Sequence, residues 1–358
     1  MATLTILYAI QAASLAAAIV PLRISTSPNE MYGDDAVCLK YVCASKNLDM
    51  VNNTCIFFDT DRYVLKPCEG NLDCPSEFQA HNVTCVEPEM AVAKKYPGET
   101  CKQNTDCMYG NCVEGACFNK QAGEACTSHE ECNPGLYCSA GVCTAQIVAG
   151  EKGCTDDWQC VNNAGCDNGV CKQYFSVASK EWVGSCPSNH TNYVCESTFC
   201  FNGLCLDAPT SSFPSSQFCT TDQVCISRDY EESEGVLFYS SCTCGNNKDG
   251  NKFCSLFPGD KDYSKLLDHY RNWMRSSGVM KCNTVRRWTY ECIYDYLGSK
   301  VADEVDYYFT VSVNSPQLQD ADDCVYEIAY PSYYKTLEED DDYSSSLLVS
   351  IFLLLTLI

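Results

Sequence analysis

The stretch 98–117, GETCKQNTDCMYGNCVEGAC, is the first of four successive cells that each contain four cysteines. Five residues separate the first and second cysteines in three of the cells, and eight separate them in the fourth. Four residues always separate the third and fourth cysteines, so a repeated cysteine-rich module organises the chain. The cysteines of these cells, which we expect to form structural disulfides, are Cys101, Cys107, Cys112, Cys117, Cys126, Cys132, Cys138, Cys143, Cys154, Cys160, Cys166, Cys171, Cys186, Cys195, Cys200 and Cys205.

The cysteine content is typical of a protein made in the secretory route. The 358 residues include 30 cysteines, a density found in extracellular disulfide scaffolds, and the even number allows every cysteine to pair. A metal–thiolate protein would instead use Cys-x-Cys clusters and few aromatic residues. Here only Cys242 and Cys244 are so close, and there are 23 tyrosines, 14 phenylalanines and 4 tryptophans. We therefore interpret the cysteines as disulfide partners.

The charge balance argues against nucleic acid and anionic lipid headgroups as partners. Lysine and arginine total 24 against 47 aspartate and glutamate residues, which gives a formal net charge of -23. Such a charge repels both classes of polyanion. The acidic run 338–342 lacks the spaced ligands and the turn glycine of a calcium loop, so we interpret it as part of a solvated stalk.

The N-terminal residues have the pattern of a secretory signal peptide. Residues 4–20 are almost wholly apolar or small, and residues 16–18 are the small alanines that a cleavage site needs. No basic residue lies close to Met1, and the alternative interpretation is a buried helix of the mature fold. We assign residues 1–18 to the signal peptide.

The C-terminal residues 347–358, LLVSIFLLLTLI, predict attachment to a membrane. A helix of this length reaches only about 18 Å, well short of a hydrocarbon core of about 30 Å. The tail therefore fits a signal for a glycosylphosphatidylinositol (GPI) anchor better than a short retained membrane segment, although the small residues 344–346 directly abut it and leave no polar spacer. Either interpretation tethers the protein at the extracellular face of the plasma membrane.

The sequence divides into segments that define the expected fold class. They are the signal peptide (1–18), an N-terminal cysteine-rich region (19–95), four tandem repeats (96–206), a linker (207–218), a disulfide-linked α+β domain (219–335), an acidic and Ser-rich stalk (336–346) and the hydrophobic tail (347–358). Each repeat has about 25 to 33 residues, too few for an apolar core. We expect small disulfide-rich modules in tandem, with short β-hairpins and little regular secondary structure, followed by a small α+β domain.

Each repeat is expected to contain one hairpin between its last two cysteines. Asn168-Gly169 and Asn202-Gly203 are favoured centres of type I′ turns, and Glu114-Gly115 and Ala140-Gly141 occupy the same place in the first two cells. The third and fourth cysteines then lie opposite each other across the hairpin. They either bond to each other or bond to the first two cysteines of the same cell. We favour the crossed pairing, first with third and second with fourth, because it ties the hairpin to the preceding loop. Spacing alone leaves three connectivities in each cell.

The region after residue 260 has the periodicity of a small mixed core. One predicted helical face consists of Tyr263, Leu266, Leu267, Tyr270, Trp273 and Met274. A second predicted helix, ending near Gly298, places on one face Val285, Trp288, Cys292 and Tyr296. Alternation over 305–313 and 324–330 predicts strands. Five cysteines lie in 219–254 and three in 282–324; both counts are odd, so we expect a bridge between these two parts.

The sequence contains no recognisable catalytic, metal or cofactor site, and we expect none. The four histidines are scattered among different modules without ligand-like spacing, and the common nucleotide, zinc-protease and hydrolase motifs are missing. Asn52, Asn82 and Asn189 each begin an Asn-x-Thr triplet, so we expect glycosylation at these residues in exposed loops.

The repeat signature is Gly-Glu-x-Cys, a five-residue gap, Cys, four or five residues, Cys, and then x-x-Gly-x-Cys. It resembles the Dickkopf N-terminal-like or EGF-like repeats of ciliate and other protist surface proteins, over about residues 97–206. That resemblance implies a secreted or GPI-anchored coat, adhesion or receptor-like molecule. Only spacing is shared, so the receptor antagonism of Dickkopf proteins is not carried over.

The leading hypothesis is a non-enzymatic, membrane-tethered surface protein whose repeats act as a coat, stalk or adhesion module. Its partners would be an unknown extracellular protein or glycan, or copies of itself. The alternative is a ligand-binding receptor or a secreted antagonist, including a protease inhibitor, built on the same modules. An enzyme seated in residues 219–335 is a third hypothesis and requires a pocket with convergent polar groups.

Overall fold

The computed structural model describes the cysteine-rich body of the chain. The described residues are 38–44, 54–72, 74, 85–87, 94–186, 192–209, 218–221, 225–227, 238–239, 242–245, 247–254, 258–259, 261–297 and 324. The predicted signal peptide, the strands predicted over 305–313 and 324–330 apart from Cys324, the stalk and the hydrophobic tail lie outside these residues.

All thirty cysteines of the chain lie in fifteen disulfide bridges. In every cell the first cysteine bonds to the third and the second to the fourth, which is the crossed pairing. The eight bridges of the repeats are Cys101–Cys112, Cys107–Cys117, Cys126–Cys138, Cys132–Cys143, Cys154–Cys166, Cys160–Cys171, Cys186–Cys200 and Cys195–Cys205. Disulfides therefore hold each module in place of an apolar core.

The crossed pairing extends to the segments on both sides of the repeats. Before them, Cys55 bonds to Cys74 and Cys68 to Cys85. After them, the bridges are Cys219–Cys242 and Cys225–Cys254, so the same interlocked topology occurs there. The expected modular fold class is confirmed: the described chain consists of short strand pairs joined by many bridges, with few helices.

The hairpins of the four cells have the predicted turn geometry. Their strands are β4 (Asn111–Val113), β5 (Ala116–Phe118), β6 (Leu136–Ser139), β7 (Val142–Ala145), β8 (Ala164–Asp167), β9 (Val170–Gln173), β10 (Phe199–Phe201) and β11 (Leu204–Leu206). Both central turn residues have positive φ in every cell, for example 49° at Asn168 and 77° at Gly169. The third and fourth cysteines are register partners, yet each bonds elsewhere.

A 3-10 turn between the first and second cysteines supports each hairpin in the first three cells. The turns are Asn104–Asp106, His129–Glu131 and Asp157–Gln159. The first residue of each turn accepts a hydrogen bond from the backbone N–H of the third cysteine. Cys112 N donates to Asn104 Oδ1 at 2.9 Å in the first cell, and Cys138 N donates to His129 Nδ1 at 3.1 Å in the second. In the third cell Cys166 N donates to Asp157 Oδ1 at 2.7 Å. Three different side chains thus perform one structural task.

The flanking segments form small sheets that bridges tie together. The strands are β1 (Lys40–Cys43), β2 (Thr54–Asp59), β3 (Arg62–Pro67), β12 (Phe218–Cys219), β13 (Ile226–Ser227), β14 (Phe238–Tyr239), β15 (Cys242–Cys244) and β16 (Lys252–Cys254). The sheet orders are β1-β3-β2, β12-β16-β15 and β13-β14, and only β1 and β3 pair in parallel among these strands. The bridge Cys38–Cys244 joins the N-terminal sheet to β15, and Tyr41 N donates to Asn247 O beside it at 3.0 Å.

Two α-helices follow, α1 (Lys261–Arg275) and α2 (Tyr290–Leu297), with a 3-10 turn at Val279–Lys281 between them. The described residues of the first predicted face are all buried; they are Leu267, Tyr270, Trp273 and Met274. The second helix begins later than the pattern predicts. Asn283 Oδ1 accepts the backbone N–H of Val285 at 3.0 Å, a local turn that competes with helical hydrogen bonds.

The expected bridge between residues 219–254 and the helical part is not among the fifteen, so that inference was wrong. Cys282 bonds to Cys292 within the helical part, whereas the two remaining cysteines bond to the N-terminal region, in Cys38–Cys244 and Cys43–Cys324. Odd cysteine counts predict a bridge between the two parts only if the N-terminal cysteines pair among themselves, and Cys38 and Cys43 do not. The helices instead share a core with the third and fourth cells.

We predict that the His129→Asn variant keeps the stability of the parent, whereas His129→Ala loses about 1 kcal/mol of unfolding free energy. Asparagine supplies the same acceptor in the first cell, and alanine leaves the Cys138 amide without its side-chain partner. Urea unfolding of the oxidised protein measures both values. Equal losses in the two variants would show that the hydrogen bond is not what His129 contributes.

Candidate functional site

Residues 279–296, which we call the spine, contact all four cells of the repeat array. Side chains of the spine donate to backbone carbonyls that point inward from the repeats, and side chains of the repeats donate back. Buried carbonyls require partners, because an unpaired polar group away from water costs about 1–3 kcal/mol. The spine therefore defines an inner face that is occupied and an outer face that remains accessible.

The second cell binds the spine through one buried side chain. Asn283 is fully buried, and its Nδ2 atom lies within hydrogen-bonding distance of three carbonyls of the second cell. The distances are 3.2 Å to His129 O, 3.1 Å to Glu130 O and 2.8 Å to Cys132 O. One asparagine side chain thus binds the carbonyl groups that the 3-10 turn of the second cell presents to the spine.

The third cell makes a reciprocal set of hydrogen bonds with the spine. Asn162 Nδ2 donates to Val279 O and Cys282 O, both at 2.8 Å. In the other direction Thr284 Oγ1 donates to Trp158 O at 2.8 Å. Gln146, at the entry to this cell, donates to Thr284 Oγ1 at 3.0 Å, so the contact is a network rather than one bond.

A fully buried guanidinium lies in the centre of that network. Arg287 donates to Cys160 O at 3.3 Å and Ala164 O at 3.4 Å, and its Nη2 donates to the Tyr174 hydroxyl at 3.2 Å. The Tyr174 hydroxyl donates in turn to Asp157 Oδ2 at 2.9 Å, and burial raises the pKa of Tyr174 well above its ordinary value. The arginine also lies over the Trp158 and Tyr174 rings, at 5.4 and 5.6 Å.

The first cell meets the spine through charged groups. Glu99 is fully buried and accepts from Arg286 Nε at 3.0 Å, and Arg286 also pairs with Glu291 at 3.0 Å. Burial raises the pKa of Glu99, and the Arg286 guanidinium opposes that rise. Thr100 donates through both its backbone N–H and its hydroxyl to Asp295, at 2.6 and 2.8 Å.

Tyr296 at the end of the spine completes the contact with the first cell, since its hydroxyl donates to Gly98 O. Burial raises the pKa of Tyr296 to about 12, with smaller contributions from nearby Asp295 and Glu99. A Cβ at Gly98 would lie 2.1 Å from Lys281 O, so the first cell can approach the spine this closely only with glycine there.

The fourth cell contributes the apolar part of the contact. The Trp288 ring lies 5.0 Å from the Tyr174 ring, 5.5 Å from Tyr193 and 5.6 Å from Tyr270. Val183, Val194 and the fourth-cell cysteines belong to the same core as α1 and α2. Trp273 Nε1 donates to Arg287 O at 2.7 Å, so this core and the third-cell network are continuous.

The inner face has the properties of a structural joint. Its titratable groups are committed to one another or to backbone atoms. A groove of about 460 Å³ on the second cell, between residues 126–130, Cys138, Gly141 and Val285, contains His129. The Nδ1 atom of that histidine already accepts the Cys138 amide. Ser128, which also lines the groove, donates its hydroxyl to Glu130 Oε2 at 3.4 Å.

The sulfur clusters of the modules are bridges and not metal ligands. In five modules the sulfur atoms of the first, second and fourth cysteines lie within 4.8 Å of one another, because the two crossed bridges pack side by side. Each of these sulfurs is part of a disulfide, so none is the thiolate that zinc or copper requires.

The structure places the sixteen repeat cysteines in structural bridges and assembles no functional group from them. The three predicted glycosylation residues, Asn52, Asn82 and Asn189, lie outside the described residues. Sequence reasoning missed the spine, because its polar contacts join residues more than a hundred positions apart. It also missed Trp182, an aromatic residue that is 61% exposed on the fourth cell.

The outer face is the accessible surface of the repeats, and Trp182 is its most exposed large apolar residue among those described. The indole ring lies against the turn of the fourth hairpin, where a Cβ at Gly203 would come within 2.4 Å of the Trp182 Cζ3 atom. Exposed tryptophans are common at sites of molecular recognition. This face is therefore the candidate functional site.

The chain is similar to the cell-cell adhesion glycoprotein 64 of Heterostelium pallidum. The two are 26% identical over 255 residues, which are 68% of this chain and 72% of that protein. No protein-family profile and no solved structure matches the chain. Neither helix found in the described residues combines the length and apolar character needed to cross a bilayer.

We predict that Asn283→Ala lowers the unfolding free energy by about 2–4 kcal/mol, because it removes the side-chain donor of Glu130 O and Cys132 O, whereas His129 O keeps the backbone N–H of Cys132. Chemical denaturation of the oxidised protein measures this loss. The matched control is Asn111→Ala, at an exposed position of β4, which we expect to change stability by less than about 0.5 kcal/mol. A loss at Asn283 no larger than at Asn111 would contradict the role given to the spine.

Proposed function

We propose that this chain is a non-enzymatic, extracellular adhesion glycoprotein, tethered to the outer face of the plasma membrane. The similarity to a cell-cell adhesion glycoprotein carries the proposal, and it extends over two thirds of both chains. Fifteen disulfides support a location outside the reducing cytosol. An adhesion module needs a rigid body with an accessible outer face, and the spine provides that rigidity.

The interlocked bridges suit a molecule that bears force between cells. Each crossed pair closes two overlapping loops, so a cell cannot extend beyond its bridges when the chain is pulled. Cys324, the last described residue, bonds to Cys43 at the end of β1. Because the proposed tether lies C-terminal to this bridge, a force on the tether reaches a covalent bond to the N-terminal sheet.

The adhesive function predicts that non-adherent cells displaying the full chain will aggregate. The reason is that the outer face would then be held at the cell surface at high local density. Light scattering and microscopy of cell suspensions measure the aggregation. A variant that lacks residues 347–358 serves as the control, since it should be secreted and should not aggregate cells. Dispersed cells carrying the full chain at the same surface density would contradict the proposal.

The lipid anchor predicts that phosphatidylinositol-specific phospholipase will release the protein from the surface of those cells. The enzyme cuts the lipid of a GPI anchor and leaves a retained peptide segment in place. Immunoblots of supernatant and cell pellet measure the released fraction. Retention of the protein in the pellet, alongside release of a known GPI-anchored marker, would rule out the anchor and leave the adhesive function to be judged by aggregation.

A further inference from the structure

The Trp182 side chain is held in place although most of it is exposed. Glu181 O accepts the Cys205 amide at 2.9 Å, and Val183 N donates to Gly203 O at 2.8 Å, so the backbone is fixed on both sides of Trp182. Lys172 Nζ donates to Trp182 O at 3.2 Å and pairs with Asp167 at 2.7 Å. One face of the indole rests on Gly203. The ring is thus pre-oriented before anything binds.

This arrangement occurs in one of the four cells. The residues that pair with the second hairpin strand at the same position are Thr100, Ala125, Lys152 and Trp182. In the first three cells a Cβ on the turn glycine would meet no atom closer than 3.8 Å, so no side chain is seated on those glycines as Trp182 is on Gly203. The fold does not require an aromatic residue at this position, since three cells form without one.

We propose that Trp182 is the stacking platform of a binding site for a neutral glycan. A pyranose ring presents a row of C–H groups on one face, and their slight positive charge matches the negative face of an aromatic ring. The neighbouring exposed residues Glu181 and Asn202 are polar and can bond the hydroxyl groups at the edge of a sugar. The inference rests on the proposed adhesive function in one respect, namely that the glycan lies on the surface of a facing cell.

The size of the platform favours a sugar over a protein partner. An aromatic side chain buries about 150–250 Å², whereas a stable protein interface buries about 800 Å² on each partner. The residues that adjoin Trp182, such as Lys172 and Glu181, are charged and do not extend the apolar surface. Two copies of this chain also repel each other, because each has a formal net charge of -23. The same charge selects neutral over sulfated or carboxylated glycans.

The test measures saccharide binding to the purified full chain. Cellobiose, lactose, chitobiose and mannobiose are the neutral probes, and heparin disaccharide is the anionic one, with the protein immobilised for surface plasmon resonance. We expect at least one neutral probe to bind, Trp182→Thr to weaken that binding at least tenfold, and Trp182→Phe to weaken it less. Threonine occupies this position in the first cell, so the variant is expected to fold, which oxidised-protein melting confirms.

The matched control is Phe118→Thr, which removes another exposed aromatic residue of the repeats and should leave binding unchanged. The proposal is overturned if no neutral probe binds, if both threonine variants lose binding equally, or if Trp182→Thr abolishes self-association in sedimentation instead. Cell aggregation separates the two proposals. Aggregation of cells without saccharide binding to the purified chain contradicts the glycan site alone, whereas saccharide binding without aggregation contradicts the adhesive function alone.

Discussion

The inward-facing carbonyl groups of the repeats are the constraint on which the rest of the structure depends. A disulfide cell of this size has too few residues to cover its own backbone, and in the second and third cells the 3-10 turn and the cysteine after it present carbonyl groups to the spine. The spine supplies donors for these atoms, notably Asn283 for the second cell and Arg287 for the third. The bridges hold each cell, and the spine joins the cells into one body.

This division of labour explains where charge is buried and where apolar surface is exposed. Glu99 and Arg287 lie inside because they bond atoms of the repeats or of the spine. Trp182 lies outside although the apolar core of the fourth cell is next to it, at Val183. Arg287 is buried in the contact between the spine and the repeats, and Trp182 is exposed on the repeats. The surface available to a partner is therefore separate from that contact.

Local features of the fold could be predicted from the sequence, and long-range ones could not. Asn-Gly in the third and fourth cells predicts the hairpin turns, constant cysteine spacing defines the cells, and the periodicity of Leu267, Tyr270 and Trp273 predicts the buried face of α1. These signals lie within a few residues of one another. The docking of the spine onto the repeats depends on single polar residues, such as Asn283, that resemble any surface residue in a sequence. Likewise, the odd or even number of cysteines in each segment does not predict the bridges from Cys244 and Cys324 to the N-terminal region.

Hydrogen–deuterium exchange of the intact, oxidised protein tests the spine most directly. Amides of residues 279–289 make short-range bonds, such as Cys282 N to Val279 O, Val285 N to Asn283 Oδ1 and Arg286 N to Asn283 O. A free segment with such bonds would exchange within seconds. Burial under the repeats predicts that these amides exchange as slowly as those of the third-cell hairpin. Exchange at the rate of an unstructured peptide, while the hairpins stay protected, would contradict the account.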